Sequence, residues 1–304
     1  MNEQVPAIVG LGEILWDVFP DGPRFGGAPA NFACHVAALG RTAEIAAAVG
    51  QDELGKRALA ELHTRGVGTR CVDRHADRPT GTVTVSLDDE GQASYEFAAQ
   101  TAWDAMAWSE ELAQLAPRTS AVCFGTLGQR SERSRETIQR FVAATSAALR
   151  PSLPAALRIF DVNLRPPFVT DPVILQSLDL ANVLKLNDEE LPVVAALCKL
   201  TGTDVEVMQQ LADRFTLRAV ALTRGPRGAV LIRDDQVSEH PGVETQVVDT
   251  VGAGDAFTAV LALGLLDGSD LAAINTGACQ VAAFVCSQGG ATPQLPGGLV
   301  NTQT

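Results

Sequence analysis

The chain has 304 residues, 46% hydrophobic and 19% charged, which is enough apolar material for a substantial core in one large α/β domain or one domain with an appendage. A formal net charge of -13 excludes a broad nucleic-acid surface and attraction to anionic membranes, leaving small metabolites as partners. The first residues, Met1 to Pro6, carry no basic region ahead of an apolar stretch, and the apolar runs are too short to span a bilayer, so a cytoplasmic protein is expected.

Ala7 to Leu11 reads as a buried strand running into Gly12-Glu13-Ile14-Leu15-Trp16-Asp17. Ligands of open α/β sheets bind at the carboxyl ends of strands, so Asp17 is a candidate for hydrogen bonds to substrate hydroxyls; a solvated loop carboxylate fits its position equally well. Phe25-Gly26-Gly27-Ala28-Pro29-Ala30-Asn31 is permissive at two glycines and stiffened by Pro29, and it leads into a helix through about Leu39 that Gly40 closes. Asn31 can cap that helix or turn its amide to a ligand. Ala43 to Val49 predicts a second strand, and Asp52 to Arg65 an amphipathic helix. Between Thr80 and Phe97, Val83, Val85 and Leu87 alternate with polar residues, the segment Asp88 to Gln92 turns the chain, and Ser94 to Phe97 returns. A hairpin with one apolar face has to close over something, or else join the main sheet as an edge.

From Ser120 onward strand and helix alternate, the pattern of a parallel sheet covered on both faces. Strands fit Ala121 to Gly125, Leu157 to Val162, Val183 to Leu186 and Ala219 to Thr223, with later ones at Arg227 to Arg233 and Val243 to Val248. Helices fit Glu132 to Leu149, Asp188 to Cys198, Asp204 to Phe215 and Leu271 to Cys286. Phe160-Asp161-Val162-Asn163-Leu164-Arg165-Pro166 ends a strand in polar groups, where Arg165 either clamps an anion or hydroxyls or is an ordinary surface arginine. In Lys185-Leu186-Asn187-Asp188-Glu189-Glu190, Asn187 suits a helix cap and the two glutamates its first turn. Thr223-Arg224-Gly225-Pro226-Arg227-Gly228 is a glycine-rich turn, a weak sign of phosphate contact.

The densest signal is Asp249-Thr250-Val251-Gly252-Ala253-Gly254-Asp255-Ala256-Phe257 ahead of the apolar run Thr258 to Leu266. Gly252 and Gly254 leave backbone N–H groups uncovered at a helix start, which is an anion site. A first-turn carboxylate there makes sense if a substrate hydroxyl lies between it and a phosphate: Asp255 takes the hydroxyl proton while the N–H groups stabilise the transferring phosphoryl. A plain glycine-rich turn with a well-placed aspartate is the competing reading. There is no Gly-Lys-Ser/Thr, and Phe257 occupies the third glycine position of Gly-x-Gly-x-x-Gly. Six cysteines, among them Cys279, lack Cys-x-x-Cys pairing and read as reduced core residues, and four histidines show no ligand spacing for zinc.

Asp249 to Phe257 resembles the C-terminal signature of the ribokinase-like (PfkB) carbohydrate kinases, and Gly26-Gly27 with Asn31 resembles the N-terminal one. The resemblance implies a single domain over 1–304: a doubly wound, mostly parallel sheet with helices on both faces and a small β-sheet lid, formed mainly by about 13–26 and 79–100, that is often also the dimer contact. It implies Asp255 as catalytic base, Gly252, Ala253 and Gly254 as the anion hole, and Asp17, Gly27, Asn31 and Arg165 around the sugar. ATP would lie on Thr223, Gly225, Gly228 and Gly254, with Asn275 and Cys279 near adenine. Asn187 and Glu190 match an Asn-x-x-Glu motif that places Mg²⁺ and phosphate largely through water. Asp249, Val251, Val285, Gly290 and Gln294 would surround a monovalent cation, with K⁺ preferred to Na⁺. Fructokinases fit best, through Gly12 to Asp17 and the Asp-x-Asn-Leu-Arg segment, although Val162 stands where many have proline. The expected reaction is therefore fructose to fructose 6-phosphate, with ketodeoxygluconate or nucleoside kinases of the same fold as alternatives. A non-catalytic sugar- or nucleotide-binding regulator is disfavoured by the intact Asp255, glycines and Asn187-x-x-Glu190.

Overall fold

All five residues of the first strand, β1 (Ala7–Leu11), are buried, as a strand covered on both faces requires. The structure, a computed structural model, describes residues 6–87, 93–146 and 155–300. The expected turn at 88–92, the last residues of the helix expected through Leu149, and the first five residues lie outside the described residues.

Beyond β1 the chain leaves the main layer to form β2 (Leu15–Phe19) and β3 (Gly22–Gly26), then returns through α1 (Ala28–Ala38) to β4 (Ala43–Gly50). After α2 (Glu53–Thr64) come β5 (Val67–His75) and the hairpin strands β6 (Gly81–Leu87) and β7 (Ala93–Phe97). The second half supplies α3 (Glu110–Leu115), β8 (Thr119–Phe124), α4 (Glu132–Ser146), β9 (Leu157–Asp161), α5 (Asp171–Leu180), β10 (Val183–Asn187), α6 (Glu190–Cys198) and α7 (Asp204–Phe215). It closes with β11 (Ala219–Thr223), β12 (Ala229–Arg233), β13 (Gln236–His240), α8 (Ala253–Asp267) and α9 (Leu271–Cys286).

Nine strands make one sheet in the order β13-β12-β11-β10-β9-β8-β1-β4-β5. Its pairs are parallel from β11 through β5, and β12 and β13 are added antiparallel at one edge. One apolar core packs α1, α2, α8 and α9 on one face; a second packs α3 to α7 on the other. Strand order runs outward in both directions from the β1–β8 pair, so a crevice opens at the carboxyl ends of these two strands, where doubly wound sheets bind ligands.

The hairpin does not join the main sheet. With β2 and β3 it forms a separate four-stranded sheet, β3-β2-β6-β7, whose apolar face covers a small core of Leu15, Val83, Trp103 and Leu127. Asp17 thus lies within a strand of this sheet, opposite Arg24, rather than in a loop at the main sheet's rim.

One predicted strand is corrected. Residues 243–248 form no strand, and Val247 and Val248 are 60% and 64% exposed. The edge they would have joined is taken by the polar β13, which the two-residue turn Asp234-Asp235, with Asp234 at φ 52°, folds straight back onto β12. The strand β5 and the helices α3 and α5 are additional to those expected. Among the described residues no helix is long and apolar enough to cross a membrane.

Candidate active site

The first turn of α8 begins at Gly252, whose φ of 80° and close packing together demand glycine. A Cβ there would sit 2.1 Å from the Ala291 carbonyl oxygen. No side chain caps this helix; the Ala253 N–H makes a long 3.3 Å hydrogen bond to the Thr250 carbonyl, and the turn otherwise presents its N–H end as helix starts that bind anions do. Asp255 follows in the same turn, only 8% exposed, and its Oδ2 accepts a 2.9 Å hydrogen bond from Asn31 Nδ2 on α1. Asn31 is therefore not spent as a helix cap. The entry to α1 is held by Gly27 at φ 107°, where a Cβ would lie 2.6 Å from the Glu13 carbonyl oxygen.

Beneath this turn lies a buried charged network. Lys185 Nζ on β10 donates to Asp161 Oδ1 on β9 at 3.1 Å, and the Thr258 hydroxyl lies 2.9 Å from both Asp161 Oδ2 and the Gly254 carbonyl oxygen. A Cβ on Gly254 would be 3.1 Å from Lys185 Nζ, so the ammonium lies directly against the first turn of α8. Burial alone would lower the lysine pKa; the carboxylates of Asp161, Glu190 and Asp255 outweigh it and hold the amine above its ordinary value. Asp255 is pushed up to about 6, first by burial and then by the charge of Asp161, against the lowering effects of Asn31, Lys185 and Arg165. An aspartate in that state is ionised at neutral pH yet more basic than a free one, which suits a general base.

Glu190 joins the ends of two strands. Its Oε1 accepts from the Leu164 N–H and its Oε2 from the Asn187 N–H, both at 2.9 Å, while Asn187 Oδ1 accepts from the Glu189 and Glu190 N–H groups. This fixes the segment that carries Arg165, an exposed side chain whose charge acts on Glu13, Asp17 and Asp255. Asp17 is raised to about 6, mainly by burial, and Glu13 to about 7, again mainly by burial. A small pocket at the carboxyl ends of β8 and β9, beside the starts of α1 and α8, is lined by Pro29, Phe32, Phe124, Gly125, Asp161, Asn163, Asp255 and Thr258, among others.

The remaining sequence candidates fall into two groups. Thr223, Gly225 and Gly228 do form the turn from β11 to β12; the Thr223 carbonyl accepts from the Asp188 N–H, and Gly225 faces open space. Asn275 is fully buried, with its amide nitrogen within hydrogen-bond distance of the Ala229 and Ser238 carbonyls, so it ties α9 to β12 and β13. Cys279 contacts Asn275 Oδ1, and burial pushes its thiol up to about 11. The Asp249 carboxylate accepts from the N–H groups of Val251 and Gly290 at 3.0 and 3.1 Å. Val285 is buried on α9, and Gln294 is exposed. Among the described residues no group of three or more His, Cys, Asp or Glu side chains could hold a metal.

Asp161, Lys185, Thr258 and Glu13 are site residues that carried no role in the sequence reading. The signal for the first two was present: a lysine inside Val183-Leu184-Lys185-Leu186 and an aspartate closing Leu157 to Phe160 are charges in otherwise buried strands, and such charges are retained when paired.

Comparison with known proteins gives the family of the chain. The model of the pfkB family carbohydrate kinases matches residues 22–297. A fructokinase of Klebsiella pneumoniae is 33% identical over 269 residues, covering 84% of this chain and 83% of that protein. The structure of a sugar kinase of Pyrococcus horikoshii in complex with ATP superposes with a TM-score of 0.79 at 28% identity, over 94% of each chain. In fold alone, an aminoimidazole riboside kinase of Salmonella enterica is also similar, with a TM-score of 0.78 at 23% identity over 98% of this chain and all of that one. The fold is ribokinase-like, and the chain belongs to the pfkB family of carbohydrate kinases.

Proposed function

We propose that the protein transfers the γ-phosphoryl group of ATP to the primary hydroxyl of a neutral sugar, with fructose as acceptor and fructose 6-phosphate and ADP as products. The observation that carries the reading is the buried, ionisable Asp255 in the uncapped first turn of α8. The hydroxyl oxygen attacks the γ-phosphorus as its proton passes to Asp255, and the bond to the bridging oxygen of ADP breaks. N–H groups at Gly252, Ala253 and Gly254, with the Lys185 ammonium beneath them, take up the charge on the moving phosphoryl. Gly27, Asn31 and Asp17 face the sugar, and the smaller sheet is the lid over it and the surface where two copies would meet.

ATP fits the uncapped α8 turn, whose Gly252 packs against the Ala291 backbone, and the open face of Gly225 in the β11–β12 turn. The donor set suits a magnesium ion brought in on the phosphates rather than a protein cage: Glu190 already accepts two backbone hydrogen bonds and acts through water, as magnesium's retained hydration allows. Asp249 and the backbone around Val251 and Gly290 are the reading for a monovalent cation that orders the turn.

Fructose is favoured by the charge of the acceptor side. Arg165 is the one cation that acts on all three of Asp17, Glu13 and Asp255; Arg24 acts on Asp17 and the buried Lys185 on Asp255, but Lys185 is already paired with Asp161, so a carboxylated sugar would meet more repulsion than attraction. The 33% identity to a fructokinase supports the same acceptor. The test is kcat/KM for fructose, ribose, ketodeoxygluconate and adenosine at saturating Mg-ATP. Fructose is expected to lead. A tenfold advantage for ketodeoxygluconate, about 1.4 kcal/mol in the transition state, would refute the neutral-sugar reading and make Arg165 the carboxylate partner.

A further inference from the structure

Asn31 and His35 stand four residues apart on α1 and therefore share one face of that helix. Asn31 grips Asp255 on one flank of the α8 turn. His35 reaches the other flank: its Nε2 lies 3.0 Å from the carbonyl oxygen of Ala291, the residue packed against Gly252. A carbonyl can only accept, so Nε2 carries the proton and the ring is the neutral Nε2–H tautomer. Burial, opposed only in part by this hydrogen bond, lowers the imidazole to about 4, and the ring stays neutral at physiological pH. The same loop is held at two more points, by Arg65 Nη1 donating to the Thr292 carbonyl at 2.8 Å and by the Gly290 N–H donating to Asp249.

We infer that His35 is a positioning residue for phosphoryl transfer: its Nε2–H holds Ala291 against Gly252, so one face of α1 clamps both sides of the anion-binding turn. The sugar-facing helix and the phosphate-facing turn are thereby one rigid unit. Without the clamp, Ala291 is held only through its neighbours Gly290 and Thr292 and can shift relative to Gly252, and the Gly252 to Gly254 N–H groups lose the wall that aims them. The inference rests on the reading of the α8 turn as the phosphoryl site. It deepens that reading by adding a side chain that touches neither sugar nor nucleotide.

The test compares full-length His35→Ala and His35→Gln with wild type, since glutamine presents an amide N–H at the reach of Nε2. Turnover is measured with fructose and Mg-ATP, and backbone amide exchange is followed by mass spectrometry over 250–254 and 288–293 without ligands. For His35→Ala the expected result is kcat lower by about tenfold or more, KM for the sugar within about twofold of wild type, and faster exchange in both segments. His35→Gln is expected to recover most of the rate and of the protection. A His35→Ala variant that melts earlier but keeps wild-type kcat per folded molecule, or wild-type exchange in both segments, overturns the inference. If the wild-type protein phosphorylated no sugar, the functional reading would fail on that result alone, and the exchange measurement would still decide the clamp.

Discussion

Asp255→Asn is expected to remove activity and raise stability together. The folded pKa of about 6 stands about 2 units above the ordinary 3.8, so at high pH the native state holds an anion that it disfavours by about 3 kcal/mol, at 1.36 kcal/mol per unit. Between those two values the folded chain binds the proton more tightly than the unfolded chain. Stability therefore falls as pH rises from about 4 to about 6 and stays low above that. Integrated over the two titrations, the wild type gives up about 1 kcal/mol by pH 4.5 and about 3 kcal/mol by pH 8. Asparagine cannot ionise, and its carbonyl oxygen can still accept from Asn31 Nδ2. The stability gap between variant and wild type, read from urea unfolding, should widen by about 2 kcal/mol from pH 4.5 to pH 8, while kcat falls by about 10²-fold or more. A gap that stays constant or narrows with rising pH would refute the burial argument, and a near-wild-type kcat would refute the base assignment.

Lys185→Met should be destabilising by about 3–5 kcal/mol in chemical denaturation, because it leaves Asp161 buried without its partner, and the residual enzyme should have reduced kcat; an unchanged denaturation midpoint would remove the ion pair from the account. The acidic limb of kcat/KM should rise through about pH 6 as Asp255 ionises. Asp161→Asn should move that limb to lower pH, since the Asp161 charge helps to raise Asp255; an unmoved limb would assign it to another group. Turnover should be faster in K⁺ than in Na⁺ at equal ionic strength, and equal rates in K⁺, Na⁺ and a bulky organic cation would dismiss the cation site at Asp249.

What the sequence made legible was local. Gly252, Gly254 and the apolar run after them announced α8, and the buried runs at Ala7 to Leu11 and Ala219 to Thr223 announced strands of a two-faced sheet. Asp17 was legible as a polar position after an apolar strand, but its place in a second sheet depends on pairing with Arg24 and Val83, which no local pattern encodes. Residues 243–248 looked like a strand by composition, whereas β13, poorer in β-branched residues, won the edge because a two-residue turn delivered it there first. Asn275 entered the adenine set only through the family resemblance; that its amide nitrogen lies within hydrogen-bond distance of the Ala229 and Ser238 carbonyls depends on how α9 packs on β12 and β13, which no local pattern encodes. Asp161 and Lys185 are 24 residues apart in sequence and meet only because β9 and β10 are adjacent and parallel.

The proposed role of Asp255 as the base also fits the charge arrangement at the crevice and its deep burial. An exposed aspartate would be a weak base at neutral pH, and desolvation strengthens it, but only while the site resists filling with water. Burying Asp255 near Asp161 and Glu13 leaves more negative charge than the pocket's own cations neutralise, an arrangement that would repel a phosphate arriving alone. Lys185 beneath Gly254 and the uncapped start of α8 place their positive ends on the side where the phosphoryl would lie, so the repulsion is confined to the hydroxyl side. There a neutral hydroxyl is the group least penalised, and losing its proton to Asp255 is the step that the asymmetry favours.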